Sequence, residues 1–342
     1  MKRKLILFCL SLTLLLAMFL FNGCGTQDDN EKPVPEALKV EDYFPIKDNV
    51  KYVYEGMGNE YAQYDVYIEY TAQGLVQQRV DNGGTVEARV YEVKDGKLTR
   101  LLSRGETYYR ENMLDRSDNS KEIMLMEPLE AGTVWKLADG SERTITKVDA
   151  DVTTPLGSYK AIEVVSKGKN DTVTDYYVKD IGLVKTVFSG QDYEVSSSLK
   201  EIEENTRRIE SIQFYFPGDN DKLNIVEKEV SFKTNDETGQ ILGDAYKEAS
   251  TSNSGVVFSS NTKINRLTLN KENKVEIDLN SAFRTEMNAG SGYEGMILQS
   301  VADTFGKYYN AKEVILTIEG EPYASGHFEF EEGETIKVDY IL

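Results

Sequence analysis

The sequence contains very little of the residue types that carry nucleophilic, redox or metal chemistry. Among 342 residues there are two cysteines, Cys9 and Cys24, and one histidine, His327. The region after Cys24 therefore cannot form a disulfide, a Cys–His pair, a Cys/His zinc site or a two-histidine metal site. These absences predict a protein that is not an enzyme and has no cofactor, no metal and no catalytic residue.

Positive charge is also scarce. The chain has 39 basic and 58 acidic residues, which gives a net charge of −19. Binding to nucleic acid depends on cationic contacts with phosphates, and adhesion to anionic lipid surfaces depends on basic clusters. Both are therefore excluded as main functions, whereas a basic protein partner is compatible with this charge.

An apolar run, Leu5 to Phe21, follows the basic stretch Lys2-Arg3-Lys4. A basic flank before a short apolar core is typical of an export signal. The run is short for a stable bilayer span, which needs about 20 apolar residues. The residues that follow, Gly23-Cys24-Gly25, resemble the lipobox of bacterial lipoproteins.

The lipobox resemblance implies how the chain is exported and where it is held. It implies a lipoprotein signal peptide at 1–23 and attachment of fatty-acyl chains such as palmitate to the Cys24 thiol. Stable tethering uses several chains, because one acyl chain binds a membrane only marginally. The protein would then lie on the extracytoplasmic face of the cell membrane, with the polar segment 24–40 as a flexible spacer. The alternative is an uncleaved amino-terminal anchor in which Cys24 has no role.

Strand patterns dominate residues 41–199. Residues 64–70 alternate with the period of a half-buried strand, Tyr64, Val66, Ile68 and Tyr70 on one side and Asp65, Tyr67 and Glu69 on the other. Residues that tolerate tight hairpins recur at Asp81–Gly84, Asp95-Gly96 and Asp139-Gly140. The short connections favour an antiparallel meander that is curved or partly closed.

The pattern changes after a charged linker at 200–208. The region 209–342 combines strands with two helices, one at Gly239–Ala249 and one that begins at a capping box of Ser291 and Glu294. The predicted fold class is therefore α+β. An amino-terminal antiparallel β-rich meander domain at 41–199 precedes a small α+β domain at 209–342.

The order of motifs in this second region resembles the GerMN domain of sporulation and spore-germination proteins, over about residues 209–342. The motifs are Phe214-Tyr215-Phe216-Pro217, Thr262-Lys263-Ile264, Val275-Glu276-Ile277-Asp278-Leu279-Asn280, Gly290-Ser291-Gly292-Tyr293-Glu294 and Gly326-His327. The resemblance implies an envelope role in spore-forming bacteria, in a module that assembles through sheet and helix faces and has no established active site. It predicts a non-enzymatic, membrane-anchored assembly or interaction module, whose partner is an envelope protein or a second copy of the chain.

Tyrosine is frequent, with 21 residues, and amphipathic rings can form a platform for peptides or glycans. The candidates for such a binding surface are Tyr67 and Tyr70 in the first domain and Tyr293 in the second. The same rings also make ordinary cross-strand pairs that stabilise a sheet. The alternative function is accordingly a ligand-binding lipoprotein, whose curved amino-terminal sheet holds an apolar molecule or a wall glycan.

Three further groups of residues resemble catalytic or metal-binding groups, but their patterns fit structural or surface roles better. His327 has no triad to complete, although its protonation could make it a pH sensor. Asp219-Asn220-Asp221 lacks the glycine and glutamate of a calcium loop and predicts a turn. Acid-dependent wall hydrolysis needs carboxylates that face each other across a cleft. Two acidic groups are interpreted instead as solvated faces: Glu60, Asp65 and Glu69, and Glu329, Glu331, Glu332 and Glu334.

Overall fold

A sheet of 12 antiparallel strands forms most of the first domain in the structure, which is a computed structural model. The structure describes residues 37–118, 121–219, 221–250 and 255–339. The predicted signal peptide, the lipid attachment site Cys24 and the predicted spacer up to residue 36 lie outside the described residues. Among the residues that are described, no helix has the length and apolar character needed to cross a membrane.

The first domain begins with a short helix, α1 (Val40–Tyr43), and a 3-10 turn at Glu60–Ala62 separates its first two strands. Its strands are β1 (Lys51–Met57), β2 (Tyr64–Ala72), β3 (Leu75–Asp81), β4 (Val86–Lys94), β5 (Lys97–Arg104), β6 (Glu122–Met126), β7 (Val134–Lys136), β8 (Glu142–Thr154), β9 (Gly157–Lys167), β10 (Thr172–Val178), β11 (Gly182–Ser189) and β12 (Glu194–Glu203). The predicted turns at 81–84, 95–96 and 139–140 each join two antiparallel strands, which confirms the meander.

The sheet curves until its two edges face each other. Its strand order is β6-β5-β4-β3-β2-β1-β12-β11-β10-β9-β8-β7, so two meanders are joined through β1 and β12. Trp135 Nε1 on β7 and Arg143 Nη1 on β8 donate hydrogen bonds of 2.9 and 2.8 Å to the carbonyl oxygen of Ile123 on β6. Side chains therefore close the seam between the two edges.

Side chains fill the inside of the curved sheet. The cavity that remains has a volume of about 60 Å³, which is room for a few waters at about 10–15 Å³ each. Tyr54 stacks on Tyr64 with ring centroids 4.5 Å apart, and its hydroxyl donates to the carbonyl oxygen of Leu183 at 2.7 Å. This interior cavity is too small for the apolar molecule or glycan of the alternative function.

The segment before β1 is part of this core. Leu38 packs against the core, Val40 is completely buried, and the ring centroid of Phe44 lies 5.4 Å from that of Tyr91. The Val40 amide also donates a 2.9 Å hydrogen bond to Glu127 Oε1. The spacer predicted at 24–40 therefore extends too far, because the sheet interior buries its last apolar residues.

The second domain combines two sheets with three helices in its described part. Its strands are β13 (Arg208–Pro217), β14 (Leu223–Phe232), β15 (Ile264–Leu269), β16 (Val275–Leu279), β17 (Glu313–Ile318), β18 (Glu321–Pro322) and β19 (Ile336–Lys337). Its helices are α2 (Thr238–Ala249), α3 (Ala282–Thr285) and α4 (Ser291–Tyr308). Strands β13 and β14 form a hairpin, and the other five form a second sheet in which β16 and β17 are parallel. The α+β prediction is confirmed.

Aromatic side chains hold α2 and α4 against the β13–β14 hairpin. Tyr246 on α2 lies between the rings of Phe214 and Phe216, with centroids 5.2 and 5.1 Å away, and is 6.0 Å from Phe305 on α4. Such ring pairs add to the stabilisation from apolar burial. Helix α4 therefore has a fixed position, and its amino-terminal end is held at one side of the domain.

Two local predictions differ from the structure. Strand β12 extends to Glu203 and β13 begins at Arg208, so the connection is 204–207 rather than the whole of 200–208. The predicted capping box is wrong, because the N-cap of α4 is Gly290 and no side chain caps the helix. Ser291 is already helical, and Glu294 directs its carboxylate to Tyr323 instead.

Candidate functional site

The second domain covers the outer face of strand β2. The register of β2 shifts between Ile68 and Tyr70, which allows both Tyr67 and Tyr70 to reach the second domain. Tyr67 Oη donates to the carbonyl oxygen of Phe232 at 3.1 Å, and Tyr70 Oη shares a 2.8 Å hydrogen bond with Thr238 Oγ1. Each tyrosine is 5% exposed. These two predicted binding residues therefore contact the second domain, and β2 is buried on both faces rather than on one.

Arg110 lies at the centre of this interface and is completely buried. It follows β5, and its Nη1 donates to Tyr70 Oη at 2.7 Å, to Thr238 Oγ1 at 2.9 Å and to the carbonyl oxygen of Asp236. Its Nη2 donates to two further carbonyl oxygens, each at 3.1 Å, those of Glu69 and Lys233. The guanidinium carbon is 4.1 Å from the centroid of the Tyr70 ring, which is cation–π distance. One side chain therefore bonds strand β2, the β14–α2 loop and helix α2.

A buried ion pair lies beside Arg110. Glu69 Oε1 is 2.7 Å from Arg79 Nε, and the two side chains are 1% and 4% exposed. Arg208 Nη1 is 3.6 Å from the same carboxylate oxygen. Burial alone raises the pKa of Glu69, but the charges of Arg79 and Arg208 outweigh burial and hold the pKa below its usual value. Glu69 is thus the counterion of a basic cluster. The prediction that it belongs to a solvated face is wrong, because its side chain is 1% exposed.

Apolar residues of the two domains also form one continuous core. Ala88, Val90 and Met113 of the first domain are buried in the same cluster as the helices of the second. The rings of Tyr109 and Tyr309 lie 4.9 Å apart across the interface. The chain from Ala37 onward therefore forms one compact unit. The role of Arg110 has no signal in the sequence, because no spacing or motif distinguishes this arginine from an exposed one.

The amino-terminal end of α4 forms an exposed site, which we call the α4 surface. It consists of two adjoining clefts that share Met287 and Ala289, with volumes of about 480 and 280 Å³. The α4 surface is defined by Val256, Val257, Arg284, Met287, Ala289, Tyr293, Glu294, Tyr323 and His327. Tyr293 and Glu294 lie on α4, which the aromatic core fixes, so these two side chains are presented on a rigid support.

The larger cleft is polar. Glu294 is 4% exposed, and its carboxylate accepts hydrogen bonds from Tyr323 Oη at 2.7 Å and interacts with His327 Nδ1 at 2.6 Å. Burial raises the pKa of Glu294, but hydrogen bonds from Ser325, His327 and Tyr323 outweigh it and lower the pKa. The buried carboxylate therefore fixes the orientation of the His327 ring at the cleft.

The smaller cleft is more apolar and contains Tyr293, the candidate predicted in the second domain. Tyr293 is 40% exposed and Val256 is 58% exposed. The hydroxyl of Tyr293 lies so close to Gly255 that a Cβ at that glycine would overlap it. Of the three candidates, Tyr293 is thus the one that lies on an open surface.

The other acidic residues considered do not converge. Asp65 pairs with Lys51 at 2.9 Å, Glu60 is exposed and Glu69 is buried in the interface. Glu329, Glu331, Glu332 and Glu334 are all exposed. Within the described ranges, no group of three or more His, Cys, Asp or Glu side chains is arranged to hold a metal ion.

The fold and the α4 surface define a protein of two joined parts, a curved β domain and an α+β domain with an open site. Residues 213–324 match the family model described as Germane, sporulation and spore germination. This part of the chain is therefore a GerMN-like domain, as the motif order predicted. No curated protein matches the sequence.

Three solved structures show similarity. The tandem GerMN domains of the sporulation protein GerM from Bacillus subtilis match at 16% identity and a TM-score of 0.30, over 37% of this chain and 46% of that one, so this chain spans less than half of it. A protein described as exported, with a YmcC-like fold, from Bacteroides fragilis matches at 12% identity and a TM-score of 0.30, over 47% of this chain and 98% of that one. A protein described as a lipoprotein from Clostridium perfringens matches at 14% identity and a TM-score of 0.24, over 38% and 87%.

Proposed function

We propose that this protein is a lipoprotein anchored through Cys24 on the extracytoplasmic face of the membrane, where it binds an envelope protein through the α4 surface. The observation that supports this role is the pair of adjoining clefts at the exposed end of α4, within the part of the chain that matches the Germane family. The description of that family supports a link to sporulation or germination. The role is non-enzymatic, and the curved β domain supports the α4 surface rigidly.

The chemistry of the α4 surface suits protein binding better than catalysis. Exposed Tyr293 and Val256 offer the amphipathic and apolar contacts that anchor protein interfaces. Arg284 and the His327–Glu294 pair supply polar groups beside them.

A crosslinking experiment tests the α4 surface directly. A photo-crosslinking amino acid at Val256 is expected to give a discrete protein adduct in membranes of cells preparing to sporulate, because this side chain is exposed at the apolar cleft. The matched control is Val134, which is 51% exposed on β7 of the first domain. Tyr293→Asp should reduce the Val256 adduct by about tenfold or more, since it places a charge in the cleft. Identical adduct patterns from the two positions would contradict the proposal.

Point variants are preferable to deleting residues 209–342. Deletion would expose Tyr67, Tyr70 and the Glu69–Arg79 pair, all of which are buried against the second domain. Loss of partner binding after such a deletion would therefore not distinguish a missing surface from an unfolded β domain.

The lipid anchor makes a separate prediction. Cys24→Ser should move the protein from the membrane fraction to the soluble extracytoplasmic fraction, because the acyl chains that hold it are attached to the thiol. Cys9→Ser is the matched control and should leave the protein in the membrane fraction. The measurement is fractionation together with the mass of the mature amino terminus. A Cys24→Ser protein that stays in the membrane would show that the anchor lies elsewhere.

A further inference from the structure

A second open site lies in the first domain, on the side of the sheet where the 3-10 turn after β1 meets the β3–β4 turn. It is a groove of about 340 Å³, a volume in the range of small-ligand sites. We call it the Tyr61 groove and define it by Asn59, Tyr61, Val80, Asn82, Arg89 and Val195. It differs from the interior cavity of about 60 Å³, although Tyr64 and Arg89 line both.

An exposed aromatic ring forms one wall of the Tyr61 groove. Tyr61 is 55% exposed, unlike the tyrosines of the sheet interior. Its ring lies against the backbone of Gly84, where an added Cβ would come within 2.6 Å of Tyr61 Cε1. The glycine therefore lets one edge of the ring approach the β3–β4 turn, while more than half of the side chain stays exposed.

Polar groups with unused hydrogen-bonding capacity line the rest of the groove. Arg89 donates through Nε and Nη2 to Glu87 Oε2, at 2.9 and 2.6 Å, and its Nη1 has no partner among the described residues. Asn82 Oδ1 accepts hydrogen bonds from the amides of Gly84 and Thr85, at 2.9 and 2.8 Å. Its amide nitrogen is therefore held in a fixed orientation and, among the described residues, makes no hydrogen bond of its own.

The groove also has a small apolar floor. Val80 is 6% exposed and Ala62 is also 6% exposed, and Val195 lies beside them. Beneath them, Tyr64 is stacked on Tyr54, so the floor is supported by the core of the sheet. The groove therefore combines one aromatic face, planar donors and a methyl-sized apolar patch on a rigid base.

We propose that the Tyr61 groove binds a neutral glycan that carries N-acetyl groups. The exposed ring of Tyr61 suits the C–H face of a pyranose ring, because both are flat and partly apolar. Arg89 Nη1 and the Asn82 amide can donate to an acetamido carbonyl, and Val80 with Val195 can receive its methyl group. The net charge of −19 disfavours anionic polysaccharides. A wholly apolar ligand would leave the Arg89 and Asn82 donors without partners.

This site is independent of the α4 surface. The Tyr61 groove would hold the protein against a glycan while the α4 surface binds a protein partner, and neither set of residues overlaps the other. The failure of one proposal is therefore distinguishable from the failure of the other.

The test uses the full chain in detergent and titration calorimetry with two neutral hexasaccharides. N-acetylglucosamine hexamer is the probe and maltohexaose, which has no acetamido group, is the control. Binding of the N-acetylglucosamine hexamer is expected, with weakening of about tenfold or more in Tyr61→Ala and retained affinity in Tyr61→Phe, because stacking needs the ring and not the hydroxyl. Tyr293→Ala, which removes an exposed tyrosine from the α4 surface, should bind the glycan normally.

A second variant tests whether glycan binding depends on where the Tyr61 ring lies, and not only on whether the ring is there. Gly84→Ala keeps every polar group but forces the Tyr61 ring to move, at little cost to the fold because the ring is the far end of a flexible side chain. It should also weaken glycan binding while the unfolding temperature stays close to that of the original protein. The proposal is overturned if the N-acetylglucosamine hexamer does not bind, if Tyr61→Ala binds it as tightly as the original, or if maltohexaose binds equally well.

Discussion

Replacing Arg110 with methionine is expected to lower the free energy of unfolding by about 3–5 kcal/mol, because several buried acceptors lose their donor at about 1–3 kcal/mol each. Arg110 is completely buried and bonds three parts of the interface at once. Methionine has a similar length but no donors. The carbonyl oxygens of Lys233 and Asp236 would lose the bonds that Arg110 donates, and an unpaired buried acceptor costs about 1–3 kcal/mol.

The measurement is urea unfolding followed by far-ultraviolet circular dichroism, with Arg207→Met as the matched control. Arg207 lies near the interface in sequence but is exposed, so its replacement should change stability by about 0.5 kcal/mol or less. Arg110→Lys should recover only part of the loss, because lysine keeps the charge but lacks the planar fork that bonds several acceptors. A loss below about 1 kcal/mol in Arg110→Met would show that Arg110 does not hold the two domains together.

The sequence predicted the structure well where the signal lies within one turn or one ordered set of motifs. The Asp-Gly and Asn-Gly turns predicted hairpins between β3, β4 and β5, because residues that tolerate positive φ are needed there. The motif order predicted a GerMN-like domain, which the Germane match at 213–324 confirms. These features depend on contacts between residues that are close in the chain, or on a whole ordered set of motifs.

The sequence was uninformative where two distant elements meet. The alternation around Tyr67 predicts one exposed face for β2, but it cannot show that the second domain covers that face. The register shift beside Tyr70 also breaks the simple period of two. Likewise, Ser291 and Glu294 have the spacing of a capping box, but a buried tyrosine hydroxyl and His327 compete for the carboxylate. Tertiary contacts determine the burial of Tyr67 and the partners of Glu294. Such contacts leave no pattern in the neighbouring sequence.

Of the two candidate sites, the sequence indicated the one that belongs to a motif and not the one that is built from distant segments. Tyr293 belongs to a motif and lies on the exposed α4 surface, where the sequence-based choice placed a binding residue. The Tyr61 groove is built from three separate segments, around Asn59, around Asn82 and at Val195, that only the curved sheet brings together. No pattern within one segment could have indicated it.

Glu69→Gln is the second substitution with a large expected effect, a loss of about 3–5 kcal/mol at neutral pH. The change is nearly isosteric, so it removes the charge and leaves the packing intact. Arg79 then remains buried without a counterion, and Arg208, which also pairs with Glu210, loses one of its two acidic partners. The positive charge of Arg208 is already disfavoured while Glu69 is present, since burial and the nearby Arg79 charge lower the pKa of Arg208 to about 10.

The effect of Glu69→Gln should depend on pH in a defined direction. The pKa of Glu69 is lower in the folded protein than its ordinary value of 4.5. A carboxylate whose pKa is lowered by folding contributes stability that is fully present above the pKa of the unfolded state and is lost as pH falls through the folded-state pKa. The stability difference between the original protein and Glu69→Gln should therefore be largest at and above about pH 6 and should shrink as pH falls below 4.5. Urea unfolding across this range measures it. A difference that stays constant with pH would mean that the Glu69 charge does not stabilise the interface.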